Sequence, residues 1–129
     1  MKNILIVDDE DINRLCISAQ IKRNFQSLFN IYQEANWFDA IKSIRKQNYD
    51  FIIMDYSMPW MNWGDTLEIR KDMGWAWVGI WYTSHNFYDM KEVWEHFLKA
   101  WANKVFLKHD ELDDMLNFIK NTNIRVFSK

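Results

Sequence analysis

Cysteine occurs once in this chain of 129 residues, as Cys16. A lone cysteine cannot close an internal disulfide, and a structural zinc site needs more ligands than the chain brings together. Cationic side chains are no more plentiful than acids: Lys and Arg number 16 against 18 Asp and Glu, for a formal net charge of -2. No basic run stands out, so direct contact with nucleic acid is not expected. Long apolar runs are missing too. The first one stops at the acids after Val7, too early for a membrane span or a secretory leader, and the chain is expected to stay in the cytosol. Glycine is scarce, with 3 residues against 8 tryptophans. What remains is 49% hydrophobic and 26% charged, the composition of one folded domain with a real core.

The apolar pattern alternates in kind along the chain. Residues 3–7 form a short run rich in β-branched and aliphatic side chains that ends at acids, which predicts a buried parallel strand. Ile12, Leu15, Cys16 and Ala19 follow at helical spacing and predict a helix with that stripe, Cys16 included, in the core. A more polar strand is expected over 30–35, nearer an edge, then a helix carrying Phe38, Ile41 and Ile44. Residues 51–54 read as a central strand ending at Asp55, 65–71 as a short helix, and 78–82 as a fourth strand ending at Thr83. Met90, Val93, Trp94, Phe97, Leu98 and Trp101 predict an amphipathic helix; 105–107 is a last strand before Lys108; Leu112, Met115, Leu116 and Ile119 predict a final helix.

Five strand-helix units imply an α/β fold: a parallel sheet with helices on both faces. Right-handed crossovers then bring the C-terminal ends of all strands to one rim, where such sheets bind ligands. Asp8 and Asp9 follow the first strand, Asp55 the third, Thr83 and Ser84 the fourth, and Lys108 the fifth. Crowded carboxylates repel unless a cation neutralises them. Mg²⁺ suits them, since it prefers hard oxygen ligands. A carboxylate beside it can act as nucleophile toward a phosphoryl donor, and the hydroxyl and ammonium can contact phosphoryl oxygens. Each part alone has a plainer reading: the run from Asp8 to Asp11 as a solvated helix N-terminus, Asp55 as a turn residue, Lys108 as a surface lysine. Their joint occurrence at separate strand ends favours the chemistry.

The stretches ILIVDDE (residues 4–10), IIMDYSMPWMN (52–62), YTSH (82–85) and FLK (106–108) resemble the receiver domain of bacterial response regulators, over nearly the whole chain and in the same order. The resemblance implies a flavodoxin-like five-stranded sheet of order 2-1-3-4-5, and one receiver domain over residues 1–129 with no output domain. It implies Asp55 as phospho-acceptor, with Asp8, Asp9, Asp55 and the Ser57 backbone carbonyl around Mg²⁺. Thr83 would be the switch hydroxyl and Lys108 the lysine that pairs with phosphate. The implied activity is a phosphorelay switch, a phosphoryl acceptor with self-dephosphorylation rather than a multiple-turnover enzyme. The implied partners are a histidine kinase or histidine phosphotransfer protein as donor and a downstream effector protein, with the chain monomeric or dimerising on phosphorylation.

Several positions depart from the family pattern. His109 stands where Pro usually follows the lysine, so the loop carrying Lys108 is expected to take another shape. Val105 replaces the usual aromatic switch residue, whose part can move to Phe106 or Tyr82. Trp37, Trp63 and Trp101 stand at common glycine positions, which implies strained or rerouted loops. Gly79 lies inside the fourth strand, leaving space for Trp77 or Trp81. Trp81 and Trp94 read as core; Trp60 and Trp63, near Asp55, are the candidates for a partner surface. His85 and His109 flank the expected site and His96 lies off its helix's apolar stripe, all reading as surface residues.

The alternative within the family is a degenerate receiver that binds partners without being phosphorylated. An Asp-nucleophile phosphatase would usually carry a second acid two positions on, where Ser57 stands. A flavin domain of this architecture would need a phosphate-binding loop where Asp8, Asp9 and Glu10 repel phosphate.

Overall fold

The computed structural model describes residues 2–55, 63–73, 77–83 and 102–127. The short apolar runs form β1 (Lys2–Val7), β2 (Phe29–Glu34), β3 (Phe51–Met54), β4 (Val78–Thr83) and β5 (Lys104–Leu107). Every neighbouring pair is parallel and the order is β2-β1-β3-β4-β5, as expected. The helices among the described residues are α1 (Asp11–Phe25), α2 (Trp37–Lys46), α3 (Trp63–Asp72) and α4 (Leu112–Phe127). No helix among the described residues is long and apolar enough to cross a membrane. The helix expected around Met90 to Trp101 lies outside the described residues, as do Ser57, Trp60, Ser84, His85, Trp94, His96 and Trp101. Trp63 opens α3, and its side chain is likewise outside them.

Alternation along each strand sends side chains into two cores. Leu5 and Val7 of β1, Ile52 and Met54 of β3 and Trp81 of β4 pack with Trp37, Ala40 and Ile44 of α2 and Ile69 of α3. Ile4, Ile6, Phe51, Ile53, Ile80 and Tyr82 pack on the other face with Ile17, Ile21 and Phe25 of α1 and Met115, Leu116 and Ile119 of α4. Burial on both faces is why β1 and β3 read as unbroken apolar runs. β2 is the edge strand the polar sequence suggested, and its outward Tyr32 is 38% exposed.

The expected stripe of α1 is turned away from the core. Ile12 and Leu15 are 65% and 61% exposed, and Cys16 and Ala19 are exposed as well. The buried face is Ile17, Ser18, Ile21 and Phe25. Two apolar stripes compete on this helix, and the one carrying two isoleucines and a phenylalanine buries more area than the one ending in Cys16 and Ala19. A similar substitution occurs in α2. Phe38 is 61% exposed, while Trp37, Ala40 and Ile44 are buried and Ile41 only packs against that core. Trp37 is no strained loop residue: it is the first residue of α2, behind an Asn36 cap whose side chain accepts from the Asp39 N–H. Among the described residues, the non-glycine positions with positive φ are Gln26 and His109.

Gly79 shares its face of β4 with Trp77 and Trp81, which are 4% and 0% exposed and belong to one core cluster. The two indoles flank the position where a larger side chain would stand. The Gly79 N–H donates to Asn103 Oδ1 at 3.0 Å, and Arg70 Nη2 reaches the same oxygen at 2.9 Å and the Trp77 carbonyl at 3.0 Å. The guanidinium carbon lies 5.5 Å from the centre of the Trp77 ring, a cation–π contact. Burial lowers the Arg70 pKa to about 10, so it stays charged at neutral pH. This cluster fastens the entrances of β4 and β5 to α3, at the end of the sheet away from the acids.

Filling Gly79 should therefore harm the fold although valine favours strands. Gly79→Val is expected to cost about 1–3 kcal/mol through overpacking against the two indoles, read from the midpoint of chemical denaturation. A neutral or stabilised variant would show that the tryptophans leave the space open.

Candidate functional site

The parallel ladder delivers the acids to one rim. Val7 of β1 is in register with Met54 of β3, so Asp8 and Asp55 leave neighbouring strands side by side. Backbone bonds continue past the strand ends: Asp55 N–H to the Val7 carbonyl at 2.9 Å, Asp8 N–H to the Glu34 carbonyl at 3.2 Å, and Lys108 N–H to the Thr83 carbonyl at 2.8 Å. Asp8, Asp55 and Thr83 are 2%, 4% and 1% exposed. Asp9 is exposed, yet one oxygen from each of Asp8, Asp9 and Asp55 lies within 4.8 Å of the others.

Lys108 closes this group. Its Nζ is 2.9 Å from Asp8 Oδ2 and 3.3 Å from Asp55 Oδ1, with its side chain 7% exposed. Burial pulls its pKa down, but the hydrogen bond it donates to Asp8 and the charges of Asp55 and Asp8 outweigh that, leaving the ammonium raised above the ordinary lysine value. Breaking such a buried pair from one side strands the opposite charge. The other Asp8 oxygen, Oδ1, accepts from the Glu10 N–H at 2.9 Å.

The structure thus brings together Asp8, Asp9, Asp55 and Lys108, and sets Thr83, buried, at the end of the adjacent strand β4. Ser57 falls outside the described residues. Three carboxylates with oxygens this close, one of them open to solvent, form a hard-oxygen donor set that fits a cation such as Mg²⁺.

His109 has φ 67°, and the described residues contain no cis peptide bond. Histidine is among the residue types that tolerate this region. The His109 N–H donates to the Tyr82 hydroxyl at 2.8 Å. Burial pushes the Tyr82 phenol up, opposed by that N–H and by the charge of Lys108. The Leu107 N–H donates to Glu111 Oε1 at 2.7 Å, and the Glu111 N–H returns to the Leu107 carbonyl at 3.0 Å.

Arg14 escapes a search for strand-end residues. It donates through Nη1 to the Asp8 carbonyl and through Nη2 to the Asp11 carboxylate, and its side chain is 12% exposed. The only trace of it in the sequence is a cation one turn after the acidic run. The Tyr82 hydroxyl as a loop anchor is equally invisible there, since pairing it with His109 requires the fold.

Two outcomes follow. Removal of the ammonium by Lys108→Met should destabilise the metal-free protein by about 3 kcal/mol at neutral pH. Because the folded pKa of Lys108 is raised, its contribution is complete below the ordinary lysine value and fades as pH rises through the folded one. The stability gap between wild type and variant, followed by urea denaturation, should therefore shrink only at strongly alkaline pH. Separately, His109→Pro removes the N–H held by Tyr82 and imposes a negative φ, and should cost at least about 1 kcal/mol; His109→Gly should be neutral or stabilising. A stabilised proline variant would contradict this view of the loop.

A family model for the response regulator receiver domain matches residues 4–120. No curated protein matches the sequence. Among solved structures, the chain is similar to the response regulator TrrA of Thermotoga maritima in complex with Mg²⁺-BeF: 26% identity, TM-score 0.76, covering 94% of this chain and 98% of that one. It is similar to the receiver domain of a Francisella response regulator, with 18% identity, TM-score 0.77, and 98% and 99% covered. A CheY-like receiver protein of Methanospirillum hungatei shares 23% identity at TM-score 0.73, with 95% and 93% covered. With the sheet order, the clustered acids and the family model in agreement, the chain belongs to the response regulator receiver domains, whose signalling depends on phosphorylation.

Proposed function

We propose that this chain accepts a phosphoryl group on Asp55 from a phosphohistidine donor, with Asp8, Asp9, Asp55 and the Ser57 backbone carbonyl holding Mg²⁺. The observation that carries the reading is the Lys108 ammonium set between buried Asp8 and Asp55, with an Asp9 oxygen in the same cluster. Such a rim already offsets part of its negative charge, with Asp8, Asp55 and the Lys108 side chain largely buried, and charge neutralisation with positioning is what phosphoryl transfer chiefly requires. TrrA, similar in fold, was solved with Mg²⁺-BeF. Bound Mg²⁺ would neutralise charge on the carboxylates and on the incoming phosphoryl oxygens.

The residues divide the work. An Asp55 carboxylate oxygen forms the new bond to phosphorus as the bond from phosphorus to the imidazole nitrogen of the donor breaks. Lys108 follows the added negative charge and pairs with a phosphoryl oxygen. Thr83, at the end of β4, offers its hydroxyl to another oxygen, so that β4 and the segment after it sense the modification. The donor is a histidine kinase or histidine phosphotransfer protein, and the output is a change in docking to an effector protein.

The exposed stripe on α1 suits docking of the donor. Ile12 and Leu15 are large apolar residues open to solvent on the helix that starts at the acidic rim. With the exposed Cys16 and Ala19 they form one contiguous apolar stripe, the kind of patch that contact surfaces use.

Acetyl phosphate with Mg²⁺ should add one phosphoryl group to the wild type by intact mass spectrometry, and none to Asp55→Asn or without Mg²⁺. Absence of the adduct in folded wild type would favour a receiver that binds partners without phosphorylation. Leu15→Glu should leave labelling by acetyl phosphate within about twofold of wild type. It should slow transfer from a phosphorylated histidine phosphotransfer protein about tenfold, equivalent to ~1.4 kcal/mol. Equal loss with both donors would remove α1 from the docking surface.

A further inference from the structure

Arg14 stands on the first turn of α1 and reaches back over the end of β1. Its Nη1 donates to the backbone carbonyl of Asp8, and its Nη2 to the carboxylate of Asp11. Burial and the charge of Asp39 hold the pKa of Glu34, at the end of β2, above the ordinary value, and the charge of Arg14 opposes them. One guanidinium therefore touches or acts on three elements: the turn after β1, the start of α1 and the end of β2. With 12% of its side chain exposed, it is largely fixed in place.

The turn needs such a restraint. Asp8, Asp9, Glu10 and Asp11 are consecutive acids. Their repulsion favours an opened turn with the carboxylates spread into solvent. Asp8 is held through its N–H by the Glu34 carbonyl at 3.2 Å and through its side chain by Lys108. Asp9 is exposed and yet keeps a carboxylate oxygen within 4.8 Å of Asp8 and Asp55. The Asp8 carbonyl, which Arg14 holds, is part of the peptide unit that leads into Asp9. Fixing that peptide limits where Asp9 can place its carboxylate.

We infer that Arg14 is a positioning residue for the metal ligands: its two-pronged grip on the Asp8 carbonyl and Asp11 keeps Asp8 and Asp9 arranged to receive a divalent cation. This rests on the metal-site reading above. Planarity of the fork matters more than charge, because a lysine ammonium cannot hold a carbonyl and a carboxylate in fixed relative geometry. Groups behind the ligands of a metal site typically change affinity about 10- to 100-fold when removed.

The sign of the effect separates positioning from plain electrostatics. A nearby cation repels Mg²⁺, so if Arg14 were only a charge, removing it would tighten binding. Isothermal titration of MgCl₂ into the unphosphorylated full chain should show affinity falling about tenfold in both Arg14→Met and Arg14→Lys, with circular dichroism and melting confirming that each is folded. If Arg14→Met does not fold, Arg14→Lys alone decides. Affinity that is unchanged or tighter in Arg14→Met, or full retention in Arg14→Lys, overturns the inference. A folded wild type that binds no Mg²⁺ overturns the metal site itself, and the inference falls with it.

Discussion

The rim depends on one ionic contact, the Lys108 ammonium between Asp8 and Asp55. Two carboxylates almost shut off from water at adjacent strand ends would repel each other and lose hydration. A lysine from the far strand of the three supplies the charge that lets them share the place. Much of the architecture serves that meeting. The β1–β3 register sets the two acids level, and the Lys108 N–H bond to Thr83 ties the lysine to the end of β4. The His109 loop, bonded to the Tyr82 hydroxyl, then turns the chain into α4.

This arrangement keeps a rim of crowded charges compatible with a stable fold. The two cores on either face of the sheet are closed by large side chains, with Trp37 and Trp81 filling one and Phe25, Phe29 and Phe51 meeting edge to face in the other. The Arg70 cluster fastens the opposite end of β4 and β5. Among the described residues, the crowded carboxylates thus sit at one end of the sheet and the Arg70 cluster at the other.

The fold was legible in the sequence because parallel strands buried on both faces leave short, pure apolar runs, and because acids, a threonine and a lysine punctuate them. The acidic cluster was legible for the same reason, since strand ends in a parallel sheet must converge. Helix faces were harder. Apolar residues surround α1, and only packing against β1 and β2 chooses Ile17, Ile21 and Phe25 over Ile12, Leu15 and Cys16. Trp37 looked like a bulky residue in a loop, because nothing local shows that Asn36 caps a helix there. Arg14 and the Tyr82 hydroxyl act through partners that only the tertiary structure supplies: the carbonyl of Asp8 and the N–H of His109.

On the proposed reading, the rim is a place for cations, filled by Lys108 when no metal is bound. Thermal unfolding of Lys108→Met, with and without saturating Mg²⁺, is the decisive measurement. Mg²⁺ should raise the melting temperature of the variant by more than that of the wild type, because the variant's acids have lost their own counter-charge. A variant indifferent to Mg²⁺, in a protein shown to be folded, would contradict it.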